Sequence, residues 1–116
     1  MDRRSFHIKQ HDTAPPFEVT LQVDGEAVDL RAATAVRFVM ADARSRKVVV
    51  DAPAQIDQIG DGSDGTVGHV SYHWREGDTA TAGTFLCEWE VAYIDGTRRT
   101  FPNPGYDVVQ IHGDLG

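Results

Sequence analysis

Apolar and polar residues alternate along almost the whole chain, and turn signals interrupt the alternation about every 8–12 residues. The clearest stretch runs from Thr84 to Ile94. Its apolar side chains fall on every second position, at Phe85, Cys87, Trp89, Val91 and Tyr93. A period of two is that of a β-strand with one buried face. No sustained helical stripe competes with it, and the sequence therefore predicts an all-β fold.

The other predicted strands alternate in the same way and are bounded by glycine, proline, aspartate or asparagine. They are Phe6 to Gln10, Phe17 to Val23, Ala35 to Met40, Lys47 to Asp51, Ala54 to Ile59, Val67 to Trp74, Thr97 to Phe101 and Tyr106 to His112. Asp24-Gly25 and Asp95-Gly96 are typical of tight hairpin turns. Pro53 is expected to separate two short strands, because proline cannot donate to a ladder. About seven to nine short strands at this spacing predict an antiparallel β-sandwich or a small barrel.

The length of 116 residues suits one domain, spanning 1–116, with residues 1–5 as a flexible or partner-bound N-terminal arm. No apolar stretch is long enough to cross a bilayer, so no membrane partner is expected. The 11 basic and 18 acidic residues give a net charge of −7, the wrong sign for binding phosphates, so no nucleic-acid partner is expected either. Cys87 is the single cysteine, and an internal disulfide is therefore excluded.

The segment Ala82 to Trp89 is similar to the immunoglobulin strand that carries the second cysteine, with Phe85 at the position of the corner tyrosine. The chain has no partner cysteine, so an antibody-type domain is not implied. Over most of its length the chain more closely resembles the immunoglobulin-like N-terminal domain of phage baseplate upper proteins. The segments that carry this resemblance are Asp12-Thr13, Asp24 to Leu30, Val36 to Met40, Gly68 to Trp74, Gly83 to Trp89, Tyr93 to Gly96 and Thr100 to Pro102.

This resemblance implies an immunoglobulin-like antiparallel β-sandwich that anchors proteins to a virion. In that family receptor-binding segments follow the domain, whereas this sequence reaches only to Gly116. The resemblance therefore implies a docking or adaptor component of a phage tail or baseplate, with neck or head as further options. The protein is then expected to be made in the host cytoplasm, to reside in the virion, and to contact other phage structural proteins without catalysing a reaction.

The alternation also divides the predicted strands into two faces. The inward positions include the expected core residues Phe38, Tyr72, Phe85, Trp89 and Val91. Leu86 and Ile94 fall on the opposite face of their strand, together with Glu88 and Glu90. Aliphatic groups on a water-facing side indicate a protein contact. Leu86 and Ile94 are therefore the candidate contact residues, and a homo-oligomer is expected.

Reactive and metal-binding residues give no specific pattern. His69 and His73 lie four apart in a predicted strand, which places their backbones about 13 Å apart, and His7 and His11 have the same spacing. The sequence thus favours surface histidines over a metal site. The acidic loop 61–65 lacks the ligand order of an EF-hand and is interpreted as a turn. No catalytic residue, metal or cofactor is predicted.

Two other classes of function remain open at this point. Trp74 and Trp89, with three tyrosines, would form a stacking platform in a carbohydrate-binding module that recognises a bacterial surface glycan. Their positions among alternating apolar residues favour the core instead. An unrelated immunoglobulin-like adhesion domain is the third hypothesis.

Overall fold

A computed structural model describes residues 4–115 of the chain. These residues contain ten β-strands and no helix. In chain order they are β1 (Ser5–Lys9), β2 (Phe17–Thr20), β3 (Gln22–Val23), β4 (Glu26–Ala27), β5 (Ala33–Asp42), β6 (Val48–Ile56), β7 (His69–Tyr72), β8 (Gly83–Tyr93), β9 (Arg98–Phe101) and β10 (Asp107–His112). The structure has more strands than the seven to nine that the sequence predicts, because it includes the two-residue strands β3 and β4. The described residues contain no helix that could span a bilayer.

The strands form two layers that are connected by continuous hydrogen bonding. The strand order is β1-β10-β8-β5-β6-β7-β2, and β9 also pairs with β8. β6 joins the layers. Its first part pairs with β5 from Val48 to Ala54, and its end pairs with β7 at Gln55 and Ile56. The predicted all-β, immunoglobulin-like β-sandwich is confirmed. One pair departs from the antiparallel pattern, since β1 runs parallel to β10.

Aromatic side chains from both layers meet in the core. Phe38 of β5 stacks on Tyr72 of β7, with ring centroids 4.5 Å apart, and lies 4.8 Å from Trp89 of β8. Phe17 of β2 meets Trp89 edge-on at 5.6 Å. Such offset and edge-to-face pairs stabilise a core beyond the area that they bury. The expected core residues Phe38, Tyr72, Phe85, Trp89 and Val91 are all buried in the structure, none more than 4% exposed.

Pro53 lies inside β6 and does not end it, contrary to the prediction of two strands separated at this residue. At Pro53 the strand has β5 on one side, in register with Arg37, and among the described strands it has no neighbour on the other side until Gln55. A proline on an open edge leaves no ladder hydrogen bond unmade. The edge position is thus the physical reason why a continuous strand forms here.

A buried carboxylate ties the ends of the described chain together. Asp107 is 2% exposed and accepts two hydrogen bonds from the Arg4 guanidinium, at 2.8 and 2.9 Å, and one from the Trp89 indole N–H at 3.0 Å. The sequence predicts an N-terminal arm at residues 1–5, of which positions 1–3 lie outside the described residues. Arg4 and Ser5 belong to the sandwich, because Arg4 binds Asp107 and Ser5 begins β1.

Candidate functional site

One end of the sandwich carries an open groove of about 800 Å³, formed between the β3–β4 hairpin and the turn that joins β8 to β9. We call it the hairpin groove. Its apolar lining residues are Val23, Ala27, Val28, Ala32, Tyr93 and Ile94. Its charged lining residues are Asp24, Glu26, Asp29, Asp95 and Arg99. An apolar lining with four carboxylates against one guanidinium favours a ligand that is partly aliphatic and positively charged.

The β3–β4 hairpin owes its position to a close backbone contact. The Leu21 N–H donates to the Gly68 carbonyl at 2.8 Å, and the Val28 N–H donates to the Leu21 carbonyl at 2.9 Å. Gly68 has a φ of +72°, and a Cβ at this residue would lie 2.8 Å from the Leu21 oxygen. Only glycine fits there without displacing the backbone. The hairpin is therefore held at its base, while its tip projects beside the groove.

The two hairpin tips form as their sequences predict. Asp24 and Gly25 have φ values of 51° and 83°, and two successive positive values are those of a tight turn whose twist matches the strands. At the other tip, the Asp95 carboxylate accepts hydrogen bonds from the Thr97 N–H at 2.9 Å and the Thr97 hydroxyl at 2.7 Å. The Ile94 N–H donates to the Ala32 carbonyl at 2.9 Å, which fixes this tip against the segment before β5.

Two of the four carboxylates in the hairpin groove, Asp29 and Asp95, have lowered pKa values. Hydrogen bonds from the Arg31 guanidinium, then from the Arg31 backbone N–H, hold the pKa of Asp29 well below its usual range. The hydrogen bonds from Thr97 lower the pKa of Asp95. Burial raises the pKa of the Tyr93 phenol, whose buried oxygen has no hydrogen-bond partner among the described residues. The groove is thus anionic at neutral pH, beside a neutral phenol.

A second groove, of about 650 Å³, adjoins the first and shares Val23 and Arg99 with it. We call it the β9 groove. It runs from β9 along the segment Pro102 to Tyr106, and its charged lining residues are Glu88, Arg98 and Arg99. Arg98 lies 3.3 Å from Glu90, and the Arg99 guanidinium lies 5.3 Å from the centre of the Phe101 ring. The β9 groove therefore brings two guanidiniums, of which Arg98 is paired with Glu90, next to the carboxylates of the hairpin groove.

The two predicted contact residues lie in different surroundings. Ile94 is 79% exposed and lines the hairpin groove. Leu86 lies on the outer face of its sheet, in register with Val108 of β10 and with Ala41 of β5, and is half-buried. Val108 is 7% exposed although it points away from the core. We call the surface formed by Leu86, Val108 and Ala41 the β8–β10 face. The structure does not bring Leu86 and Ile94 together.

The histidines have neighbours that spacing along the chain did not reveal. His69 Nδ1 lies 2.9 Å from an Asp57 carboxylate oxygen, so this ring belongs to a side-chain pair at the start of β7. His7 Nδ1 lies 2.9 Å from His112 Nε2, with the rings stacked. This contact joins residues at opposite ends of the chain, and only the β1–β10 pairing brings them together. Among residues 4–115 no three His, Cys, Asp or Glu side chains form a cluster suited to a metal ion.

Two other candidate groups lie inside the fold. Cys87 is fully buried, and burial, with a smaller effect of the Asp107 charge, raises the pKa of its thiol well above the usual value. A buried neutral thiol is a poor nucleophile. Trp74 and Trp89 are 5% and 0% exposed, so they offer no stacking surface to a sugar. The alternative hypothesis of a carbohydrate-binding module on these tryptophans is therefore wrong, because both rings pack in the core.

No family model and no curated protein matches the chain. Among solved structures, the fold is similar to the crystal structure of CopC from Methylosinus trichosporium OB3b. The sequence identity is 17%, the match covers 93% of this chain and 87% of the other, and the TM-score is 0.46. The comparisons give no support to the predicted function as a docking protein of a phage tail or baseplate, and that prediction is corrected accordingly. A likeness at this level assigns no ligand or activity to the present chain.

Proposed function

We propose that this domain is a non-catalytic protein-binding module that associates with a second copy of itself through the hairpin groove and the β9 groove. The observation that carries the proposal is that the carboxylate-rich hairpin groove, which contains the 79% exposed Ile94, adjoins a groove lined by Arg98 and Arg99. A two-fold interface places the same patch of both copies in contact, so a surface that pairs with itself must contain complementary halves.

The two grooves meet this requirement around Val23, which lines both of them and is 38% exposed. With a two-fold axis close to Val23, the carboxylates of each hairpin groove face Arg98 and Arg99 of the other copy's β9 groove. Like charges then separate and opposite charges meet, which favours one orientation of the two copies over others.

Burial of Ile94 and Val23 supplies the apolar part of the contact. Covering an exposed aliphatic side chain is favourable by about 25 cal/mol for each Å² removed from water. The charged groups around the grooves add specificity and rate of association more than affinity. Apolar residues at the centre with charged residues around them are the usual composition of a specific protein contact.

The test is sedimentation equilibrium over a wide range of protein concentration, in the presence of a metal chelator. Ile94→Asp is expected to weaken self-association at least about tenfold, because a carboxylate buried in a contact is costly. Ile59→Asp is the matched control, since Ile59 is 73% exposed and lies outside both grooves. Wild-type protein that stays monomeric at all concentrations contradicts the proposal, and so does equal weakening by the two variants.

A charge reversal tests the orientation of the two copies. Glu26→Arg and Arg98→Glu are each expected to weaken the dimer, because each places like charges opposite one another. The double variant restores opposite charges on both sides of the two-fold axis and is expected to recover part of the lost association. Added salt should weaken the wild-type dimer, since the pairs are close to solvent. Failure of the double variant to exceed either single variant contradicts this arrangement.

A further inference from the structure

The contact between His7 and His112 has a geometry that the proposed self-association does not use. His7 Nδ1 and His112 Nε2 are 2.9 Å apart, the ring centroids are 5.2 Å apart, and the ring planes differ by 16°. Both residues are exposed, so neither ring serves the core. The parallel register places His7 opposite Gln110 and Lys9 opposite His112, all on the outer side of the sheet.

The backbone that carries the two rings is fixed by the sandwich. Between them in register, Ile8 and Ile111 point inward and are 5% and 3% exposed. The Gln10 N–H donates to the His112 carbonyl at 2.7 Å, which continues the ladder past the end of β1. Two ligands on adjacent, well-anchored strands lose little backbone freedom when they bind a common ion.

From this geometry we propose that His7 and His112 together bind a divalent transition-metal ion such as Zn²⁺. Neutral imidazole nitrogen is a preferred ligand of such ions, at about 2.0–2.1 Å. Two ligands at right angles and at this distance have nitrogens separated by about 2.9 Å, and a tetrahedral pair by about 3.4 Å. The observed separation matches the first case, and small ring movements reach the second.

Binding also requires that both facing nitrogens present a lone pair. In the neutral pair one facing nitrogen carries a hydrogen and donates to the other. When the ion binds, this hydrogen moves to the other nitrogen of the same ring, and the ion takes its place between the rings. No net proton is released from the neutral pair, whereas a protonated pair must lose its protons first. Water completes the coordination of an ion at this exposed position.

The charged neighbour limits the affinity of the site. The Lys9 ammonium belongs to the residue in register with His112, and its charge repels a bound cation. The amide of Gln110, in register with His7, is neutral, and its oxygen accepts a hydrogen bond from the Thr84 hydroxyl at 2.8 Å. The proposed ion thus relies on the two imidazoles for its protein ligands, and loss of either ring should remove most of the binding.

The test is a calorimetric Zn²⁺ titration of the folded protein, together with NMR detection of the imidazole nitrogens. One ion is expected per chain, with the largest shifts at His7 Nδ1 and His112 Nε2. His7→Gln and His112→Gln are each expected to weaken binding by about tenfold or more. His11→Asn is the control, because His11 is exposed, lies near β1 and has a φ of 71°, which asparagine tolerates. Binding should also weaken as the pH is lowered, because protons compete for the nitrogens.

Equal loss of binding in the control and in the two glutamine variants contradicts the proposal. So does unchanged Zn²⁺ binding when both rings are replaced. Because the variants are at the surface, circular dichroism should show an unaltered fold. The chelator in the sedimentation experiments keeps the two proposals separate, since association through the grooves requires no metal ion.

Discussion

Leu86 and Ile94 satisfy the same sequence criterion, an aliphatic residue on the outer side of β8, but the structure places them in two different regions. Leu86 belongs to the β8–β10 face, where Val108 and Ala41 flank it and leave it half-buried. Ile94 lies beyond the end of β8, beside the hairpin groove, and is 79% exposed. Alternation therefore identifies the side of the strand, whereas the neighbouring strands decide whether that side is covered. Of these two regions, the one around Ile94 leaves a large aliphatic side chain exposed to a partner.

The largest expected effect contrasts an aspartate in the interior with one beside the hairpin groove. Asp107, at the start of β10, accepts hydrogen bonds from Arg4 and Trp89 in the interior. Asp107→Ala should lower the free energy of unfolding by about 3 kcal/mol, because it leaves a guanidinium and an indole N–H without their partner. Asp95→Asn at the hairpin groove is the comparison, and should have little effect because Asp95 bonds only its neighbour in an exposed turn. Urea denaturation measures both variants, and a smaller loss for Asp107→Ala contradicts the contrast.

The next effect compares the two aliphatic residues directly. Leu86→Asp should lower the free energy of unfolding by about 2 kcal/mol, because the carboxylate is placed between Val108 and Ala41. Ile94→Asp should change it by less than about 0.5 kcal/mol, as is usual at an exposed position. The opposite holds for self-association. Ile94→Asp should weaken self-association of the folded protein, whereas Leu86→Asp should not. If Leu86→Asp leaves stability intact, the β8–β10 face is more open than its burial indicates.

The smallest expected effect is the change of stability with pH, which differs in direction between the buried Cys87 and the aspartates of the hairpin groove. The raised pKa of Cys87 means that the unfolded chain ionises first as the pH rises. The contribution of the buried thiol is therefore present below a pH of about 8.5 and is lost as the pH rises above it. The lowered pKa values of Asp29 and Asp95 act in the opposite sense. Their contribution is present above a pH of about 4 and is lost as the pH falls below it.

Urea denaturation at a series of pH values tests the two contributions separately, with one variant at Cys87 and one at Asp95. Cys87→Ala should flatten the alkaline limb of the stability curve and leave the acid limb unchanged. Asp95→Asn should flatten part of the acid limb only. The folded protein should also react slowly with a thiol reagent and rapidly after unfolding. An alkaline limb that persists unchanged in Cys87→Ala assigns the loss to other groups.

Much of the fold follows from the alternation alone. The inward positions of β5 and β8, such as Phe38 and Trp89, are buried as their period requires, and both Asp-Gly turns form. The departures have local causes. Val23 shares the alternation of Phe17, but it is 38% exposed because β2 ends at Thr20 and the β3–β4 hairpin leaves the sheet. Pro53 lies within a strand because that edge of β6 is unpaired.

The candidate sites were harder to predict, because they depend on pairings between distant parts of the chain. The hairpin groove combines the β3–β4 hairpin with the β8–β9 turn, which are separated in sequence by most of the sandwich. Ile94 carried a sequence signal for this region, whereas Leu86 carried the same signal without the same exposure. The contact of His7 with His112 follows from a parallel pairing of β1 with β10. Alternation cannot distinguish parallel from antiparallel neighbours, so nothing in the sequence pointed to it.

That parallel pairing also determines how the domain responds to mechanical load. Arg4 lies directly before β1 and His112 at the end of β10, and the two strands run in the same direction. A pull outward at these two residues slides β1 lengthwise along β10 and does not peel it away. The evenly spaced hydrogen bonds of the parallel ladder then resist together, with the ion pair between Arg4 and Asp107 in parallel with them. Tension applied between Arg4 and His112 therefore loads the β1–β10 pairing in shear, and all of its hydrogen bonds resist the force together.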